Sequence, residues 1–458
     1  MGLLGFRAFL AKHFPQVIKS APCTEHSCER VFIEGNYLLH QFGYSGHTRN
    51  TSLLPNFDDT TARKLHSLDA PRFAQRMQRK CEEIRTRDLR ASHGATLVFD
   101  GCGPFAKMYS QHLHRLSVRA TLRVPASVPL SLSLTHTQRH LSNAGHRNVI
   151  TPGCEFMDQF VTHLQQLVHN SATQFANNSA TQFVHNNVDH KNINQFMHNN
   201  VDHFLHENTD KSLLKNAQLR ISSVREPNEG ETKIFQGIKH LLLTPGSKGV
   251  SNFAIHGSDS DLILLGIGSE SLHRFCRDVN VTLFVPHERS HSAYDAIELH
   301  SFHSHFSTQF SNQLVRLDFL LLLLMQLEDY GPPISDDMCV WPQYLELYKQ
   351  HERTMILKFE PMCPMLELDV PLLCSVHNVH KTNIEKVTQF HIDHVLDYCN
   401  YLTWLLHMFV CDGQVLDMRY IFPYGSAPLL QTMLAVYNHL VRMMHRIDSH
   451  SLRMGFFV

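Results

Sequence analysis

The amino-acid sequence predicts an α/β fold, with a mostly parallel twisted sheet flanked by helices and a smaller, mainly helical C-terminal lobe. Two patterns predict it. Short apolar runs of strand length alternate with longer stretches of helical periodicity, which is how parallel sheets are built. Acidic residues then fall just after the ends of those runs, where open α/β sheets place their ligands. A chain of 458 residues has room for such a sheet and a second lobe, and 43% hydrophobic residues suffice for a core.

In chain order, residues 1–20 read as an amphipathic helix with Phe6, Phe9, Leu10 and Phe14 at helical spacing. Val31 to Ile33 is a short buried strand that runs into Glu34-Gly35-Asn36 and another helix. Ala95 to Phe99, Leu219 to Ser222, Phe253 to His256 and Val281 to Val285 repeat the strand pattern. Helical periodicity fills about 70–92, 104–119, 154–168, 229–242 and 312–328, and after 340 long apolar helices are expected at 390–411 and 427–445. Residues 169–206 break the pattern: NSATQF at Asn170 recurs at Asn178, and HNNVDH at His185 recurs at His198. That Asn/His-rich composition predicts a low-complexity surface insertion rather than core. The expected division is a first domain over 1–335, carrying the 169–206 insertion, and a helical lobe over 336–458.

Composition excludes a global attraction to polyanions, because 41 Lys and Arg balance 42 Asp and Glu. Basic charge is local: residues 61–125 hold 13 Lys or Arg against 5 Asp or Glu. The 35 histidines would make the chain markedly cationic as the pH falls toward 6. Cys23 and Cys28 bracket His26, but no second ligand pair lies nearby. Reduced thiols of an intracellular protein, nuclear or cytoplasmic, are therefore expected over zinc. The longest apolar run, Phe319 to Met325, is too short for a membrane span.

The chemistry resides in the acids. Glu34 and Asp100 follow the first two strands, Glu229 and Glu231 open a helix after the third, Asp259 and Asp261 follow the fourth, and Asp329 ends an apolar helix. Singly, each reads as a helix cap. Together they predict a carboxylate cluster whose self-repulsion calls for divalent cations. Two such ions can hold the attacking and leaving oxygens of a phosphodiester. Lys107, Gln111, His114 and Arg115 are expected to share one face of the helix after Pro104, a face able to hold a phosphate.

These motifs resemble, in order, those of the Xrn/Rat 5′→3′ exoribonucleases. Phe32-Ile-Glu-Gly-Asn-Tyr-Leu-Leu-His40 is similar to L-D-M-N-G-I-I-H, and Asp100 to Met108 is similar to D-G-V-A-P-R-A-K-M. Ile150 to Met157 resembles I-T-P-G-T-x-F-M, and Arg225 to Ile234 resembles V-P-G-E-G-E-H-K-I. His256 to Ile263 resembles G-L-D-A-D-L-I, and Asp318 to Asp329 resembles the D-F-V-L-L helix ending in G-N-D. Trp404 to His407 and Phe422 to Pro428 resemble W-V-L-x-Y-Y and Y-P-Y-H-Y-A-P.

The resemblance implies a core like that of PIN and flap nucleases and two Mg²⁺ ions, replaceable by Mn²⁺, held by the seven carboxylates. It implies single-stranded RNA with a 5′-monophosphate as substrate, gripped by Lys107, Gln111, His114 and Arg115. His40 and Tyr420 would stack on bases without reading them. The chain departs from the family in placing Glu34 where the family has Asp, His114 for an Arg, and Leu327-Glu328-Asp329 for G-N-D. It also lacks the tryptophans before Y-P-Y and has a shorter second lobe. These departures leave two rival expectations, an RNA-binding protein that has lost turnover and an endonuclease of the flap or PIN-like group.

Overall fold

The computed structural model describes residues 6–22, 27–44, 70–110, 155–187, 219–244, 251–287, 290–327, 329–334, 340–360 and 365–447. Its centre is a seven-stranded sheet. The strands are β1 (Ile18–Pro22), β2 (Arg30–Glu34), β3 (Ala95–Val98), β4 (Leu219–Ser222), β5 (Asn252–His256), β6 (Asn280–His287) and β7 (Ser290–Glu298), in the order β1-β7-β6-β5-β2-β3-β4. Strands β6, β5, β2, β3 and β4 are parallel; β7 runs antiparallel to both β6 and β1.

Side-chain alternation divides the core in two. Phe32, Val98, Phe253, Ile255, Val281 and Leu283 face one layer, while Val31, Ile33, Ala95, Leu97, Ala254 and Phe284 face the other. Every residue of β2 is buried, as a central parallel strand covered on both faces must be. The first layer is closed by α1 (Phe6–His13), α5 (Gly230–Leu243), α6 (Ser260–Gly268), α8 (Leu299–Gln309) and α9 (Leu314–Leu324). The second is closed by α2 (Gly35–Tyr44), α3 (Ala70–Glu83) and α4 (Glu155–Asn187). The remaining short helix, α7 (Glu270–Phe275), joins α6 to β6.

The C-terminal lobe contains α10 (Val340–His351), a β8 (Ile356–Glu360) and β9 (Met365–Leu368) hairpin, α11 (Val370–Val376), α12 (Gln389–Val410) and α13 (Leu430–Ile447). Its apolar residues Tyr398, Leu402 and Phe409 belong to the same core as Phe253 and Ile263 of the sheet side. Polar clamps reinforce the join. Asp412, in the loop after α12, accepts the hydroxyls of Ser269 and Ser271 and pairs with Lys239 at 3.4 Å. Buried Arg316 caps the end of α6, donating to the carbonyls of Ile267 and Gly268 at 2.8 and 2.7 Å.

Asp318 makes the other join. Its carboxylate accepts Tyr344 Oη at 2.6 Å and the Met355 and Ile356 backbone N–H groups, both at 2.8 Å. Burial nevertheless raises its pKa to about 7, against the pull of those three donors. Asp318→Ala strands three buried donors, at a cost on the order of 3 kcal/mol or more. The midpoint of urea unfolding is expected to fall accordingly; an unchanged midpoint would contradict this role.

Three expectations from sequence are corrected. Residues 1–20 are not one helix, because Pro15 disfavours the helical conformation at Phe14 and sets up a 3₁₀ turn over Pro15–Val17, after which β1 begins. Strand β7 was not expected, because its first half is polar and only Tyr294, Ala296 and Ile297 mark it. The helix expected to stop at 168 runs on to Asn187, through both NSATQF copies. An existing helix extends cheaply, and Ser171 and Thr173 satisfy their hydroxyls on Leu167 O and His169 O at 2.9 and 3.0 Å. Exposure of residues 169–171 agrees with a surface position, and 188–206 lie outside the described residues. Within the basic run, Lys80 and Arg87 pair with Glu83, and Arg85 with Glu82, which leaves the excess of basic residues unchanged.

Histidine charging is also narrower than composition implies, since burial lowers the pKa of His13, His256, His273, His303 and His305. Cys23 and His26 lie outside the described residues. Cys28 is buried, donates to Leu89 O at 3.4 Å, and has its thiol pKa pushed up to about 12 by burial. Among the described residues no helix is long and apolar enough to cross a membrane.

Candidate metal-binding active site

Strand order reverses between β2 and β5, since β3 and β4 lie on one side and β5 and β6 on the other. Ligands bind beyond the carboxyl ends of strands at such a switch point. Glu34 is the last residue of β2, and Asp100 lies two residues past β3. Glu229 occupies the N-cap of α5 and Glu231 its first turn. Asp259 caps α6 by accepting the Asp261 N–H at 3.0 Å, which also fixes where Asp261 starts. Register aligns these ends: Glu34 lies opposite Val98, Ile33 opposite His256, and Val98 opposite Ser222.

Backbone hydrogen bonds lock two of the loops together. Gly101 N donates to Asn228 O at 2.8 Å, and Asn228 N donates to Cys102 O at 2.9 Å. A Cβ at Gly101 would meet Glu226 O at 1.7 Å, so this approach requires glycine. Asp100 is held on three sides. Its carboxylate accepts Asn36 Nδ2 at 2.6 Å and Gly230 N at 2.8 Å, while its own N–H donates to Asn36 Oδ1 at 3.2 Å.

The cluster has two unlike halves. Glu34, Glu231 and Asp259 each present a carboxylate oxygen, all within 4.8 Å of one another. Beside them, Lys107 places its ammonium 2.9 Å from Asp261 Oδ2, 3.1 Å from Glu229 Oε2 and 3.4 Å from Tyr330 Oη. Tyr330 donates its hydroxyl to Glu229 Oε2 at 3.0 Å, and its ring lies 5.0 Å from the ammonium.

The electrostatics follow from burial. Desolvation, then the charges of Asp259 and Asp100, hold the Glu34 pKa well above the usual carboxylate range. Desolvation and Asp100 do the same for Glu231. Burial also raises Asp100 and Asp261, and it pushes Glu229 up to about 7 even with Lys107 beside it. Burial alone would lower Lys107, but Asp261 and Glu229 more than offset it, and its pKa is raised.

The residues fit a divalent cation. Glu231 Oε2 and Asp261 Oδ1 are buried with no hydrogen-bond partner among the described residues. Such orphaned oxygens are costly unless a cation satisfies them. An all-carboxylate oxygen set suits a hard ion such as Mg²⁺ or Mn²⁺, not one that prefers thiolate or imidazole.

Six of the seven expected acids are thus brought to the strand ends. Asp329 is buried in the turn after α9, immediately before Tyr330, and its charge acts on Tyr401. Lys107 is not on a solvent face but inside the cluster. Gln111, His114 and Arg115 lie outside the described residues, and His40 belongs to α2. Tyr420 is half-buried and stacks on Trp404, with ring centroids 5.2 Å apart and planes 23° apart. Sequence reasoning missed Asn36, Tyr330 and Lys233, the last donating to Phe99 O at 2.9 Å and Ser223 O at 2.8 Å. Asn36 and Tyr330 are each within two residues of an acid that was found, and that proximity was the available signal.

The family model described as XRN 5′-3′ exonuclease N-terminus matches residues 1–276. The chain belongs to this family. This XRN chain is 19% identical over 371 residues to 5′-3′ exoribonuclease 1 of Saccharomyces cerevisiae, a match covering 76% of the chain and 21% of that relative. It therefore spans about a fifth of the relative's length. Two solved structures of the catalytic core of Rad2 in complex with DNA substrate are also similar. They have TM-scores of 0.40 and 0.38, with 10% and 11% identity. The matches cover 96% and 97% of the XRN chain and 95% and 96% of the solved chains. Likeness at that level adds nothing to the strand order seen directly.

Proposed function

We propose that this XRN chain is a Mg²⁺-dependent 5′→3′ exoribonuclease that removes mononucleotides from the 5′-monophosphate end of single-stranded RNA, in RNA decay or processing. The observation that carries this reading is the convergence of six carboxylates, four of them buried and two half-buried, with two oxygens left unpartnered among the described residues. Held by Glu34, Asp100, Glu229, Glu231, Asp259, Asp261 and Asp329, two Mg²⁺ ions would supply Lewis acidity and a water of lowered pKa, with Mn²⁺ as a substitute.

The chain's own groups do the positioning. Lys107, Gln111, His114 and Arg115 hold the 5′-phosphate through charge-assisted hydrogen bonds. His114 grips best when protonated. His40 and Tyr420 stack on bases, with Trp404 backing Tyr420 from one side. Asn36 fixes Asp100 by two hydrogen bonds and so keeps one acid in place. Residues 1–335 form the nuclease domain, and 336–458 form a helical lobe that presents Tyr420.

The test is timed digestion of a 3′-labelled single-stranded RNA in Mg²⁺, comparing 5′-monophosphate with 5′-hydroxyl ends. Loss of the monophosphate substrate alone, abolished by Asp259→Ala, is the expected result. Binding without digestion by the folded chain overturns it in favour of an RNA-binding protein. Cleavage of a circular RNA overturns it in favour of an endonuclease.

A further inference from the structure

The two halves of the acidic cluster are not equally available to a cation. In one half, Glu34, Glu231 and Asp259 converge, and Glu231 Oε2 has no hydrogen-bond partner among the described residues. In the other, Asp261 Oδ1 also lacks a partner among the described residues, but Glu229 Oε2 and Asp261 Oδ2 are already satisfied by the Lys107 ammonium at 3.1 and 2.9 Å, and Tyr330 adds a further bond to Glu229. A divalent ion that uses those two oxygens must first displace Lys107. The displaced ammonium would then be a buried cation beside a dication, its two carboxylate partners engaged by the metal instead. That state is costly in a desolvated pocket.

We propose that Lys107 is a resident cation that makes metal loading sequential: the Glu34–Glu231–Asp259 half takes a divalent ion in the resting protein, and the Glu229–Asp261 half takes one only when a phosphate monoester draws the Lys107 ammonium onto itself. This deepens the reading above, on which it rests for the phosphate. A phosphate monoester carries close to two negative charges and several acceptor oxygens at neutral pH, so it can replace both carboxylates as the partner of Lys107. Tyr330 is the positioning residue that keeps the resting arrangement, since its hydroxyl bonds Glu229 and its ring lies against the ammonium. Coupling of this kind is reciprocal: the phosphate tightens the second ion, and the second ion tightens the phosphate by the same factor. The site would thus be fully charged with metal only when a 5′-phosphorylated end is present, and 5′-hydroxyl ends would find it half loaded.

The experiment counts Mn²⁺ bound to the full chain by electron paramagnetic resonance, without RNA. The unsubstituted protein is expected to bind one Mn²⁺ tightly and magnetically isolated. Uridine 5′-monophosphate should bring in a second, with the broadening of two neighbouring ions, and uridine should not. Lys107→Met is expected to bind two Mn²⁺ with no nucleotide present. Because that variant leaves two buried acids without their shared cation, which disfavours the metal-free fold, Tyr330→Phe is the second probe. It should tighten the second Mn²⁺ severalfold in the absence of nucleotide. Two tight Mn²⁺ in the unsubstituted protein alone, or one in Lys107→Met with or without nucleotide, overturns the proposal. The expected stoichiometries without RNA digestion would uphold it and overturn the exoribonuclease reading instead.

Discussion

Metal-free protein carrying Glu231→Gln is expected to melt several degrees above the unsubstituted chain at pH 8, and to lose hydrolysis by about a thousandfold. Both effects have one cause. Glu231 is buried, one of its oxygens has no hydrogen-bond partner among the described residues, and desolvation and Asp100 raise its pKa well above the carboxylate range. An amide in its place carries no charge and can donate to the neighbouring acids. The pH dependence follows from linkage. Glu34, Asp100, Glu229, Glu231 and Asp261 all have raised pKa values in the folded protein, so the folded chain holds protons that the unfolded chain releases. Stability of the metal-free protein therefore falls as the pH rises from the ordinary carboxylate range through these raised values, including about 7 for Glu229. Divalent ions should restore Tm more at pH 8 than at pH 6, and Glu231→Gln should blunt that rescue. Scanning calorimetry at both pH values, with and without Mg²⁺, decides the matter. A Glu231→Gln variant less stable than its parent when metal-free would show that the acid is an ordinary structural group.

The acids were legible because a carboxylate just past a strand end is a local pattern. Glu34 ends an apolar run, Asp100 follows another, and Asp259 and Asp261 sit where a helix needs a cap. Their convergence required only that the strands lie side by side, and the alternation of strand and helix predicts that. Proximity to Asp329 marked Tyr330, but its role was not legible, because it depends on how the turn after α9 packs against Lys107 and Glu229, which are 223 and 101 residues away. Lys107 was singled out as a phosphate-binding cation, but helical spacing gave no sign that its ammonium is buried between Asp261 and Glu229. Strand β7 escaped for a related reason. It pairs on both sides, yet its early residues are polar and its register is set by the hairpin with β6 rather than by an apolar run.

Gly257→Ala is the substitution in which the smallest change should have the largest effect on the site. Gly257 follows β5, and a Cβ there would lie 2.5 Å from Glu34 Oε2, 2.7 Å from Leu262 Cδ1 and 3.2 Å from Glu34 Cβ. The backbone has little room to withdraw, because Gly257 N donates to Phe284 O at 3.3 Å and so ties the loop to β6. The Glu34 carboxylate and the Leu262 methyl group must move instead, which disturbs the convergence of Glu34 with Glu231 and Asp259. A displacement near 1 Å in such a site costs about a hundredfold in rate. The longer arm of a glutamate is what brings its oxygens over Gly257, so Glu34→Asp should make room for the added methyl group. The double variant is expected to recover activity relative to Gly257→Ala alone, although Glu34→Asp by itself alters the reach of the acid. A double-mutant cycle on the initial rate of digestion measures this coupling. Additive losses would show that the methyl group acts through Leu262 and the α6 packing rather than through Glu34.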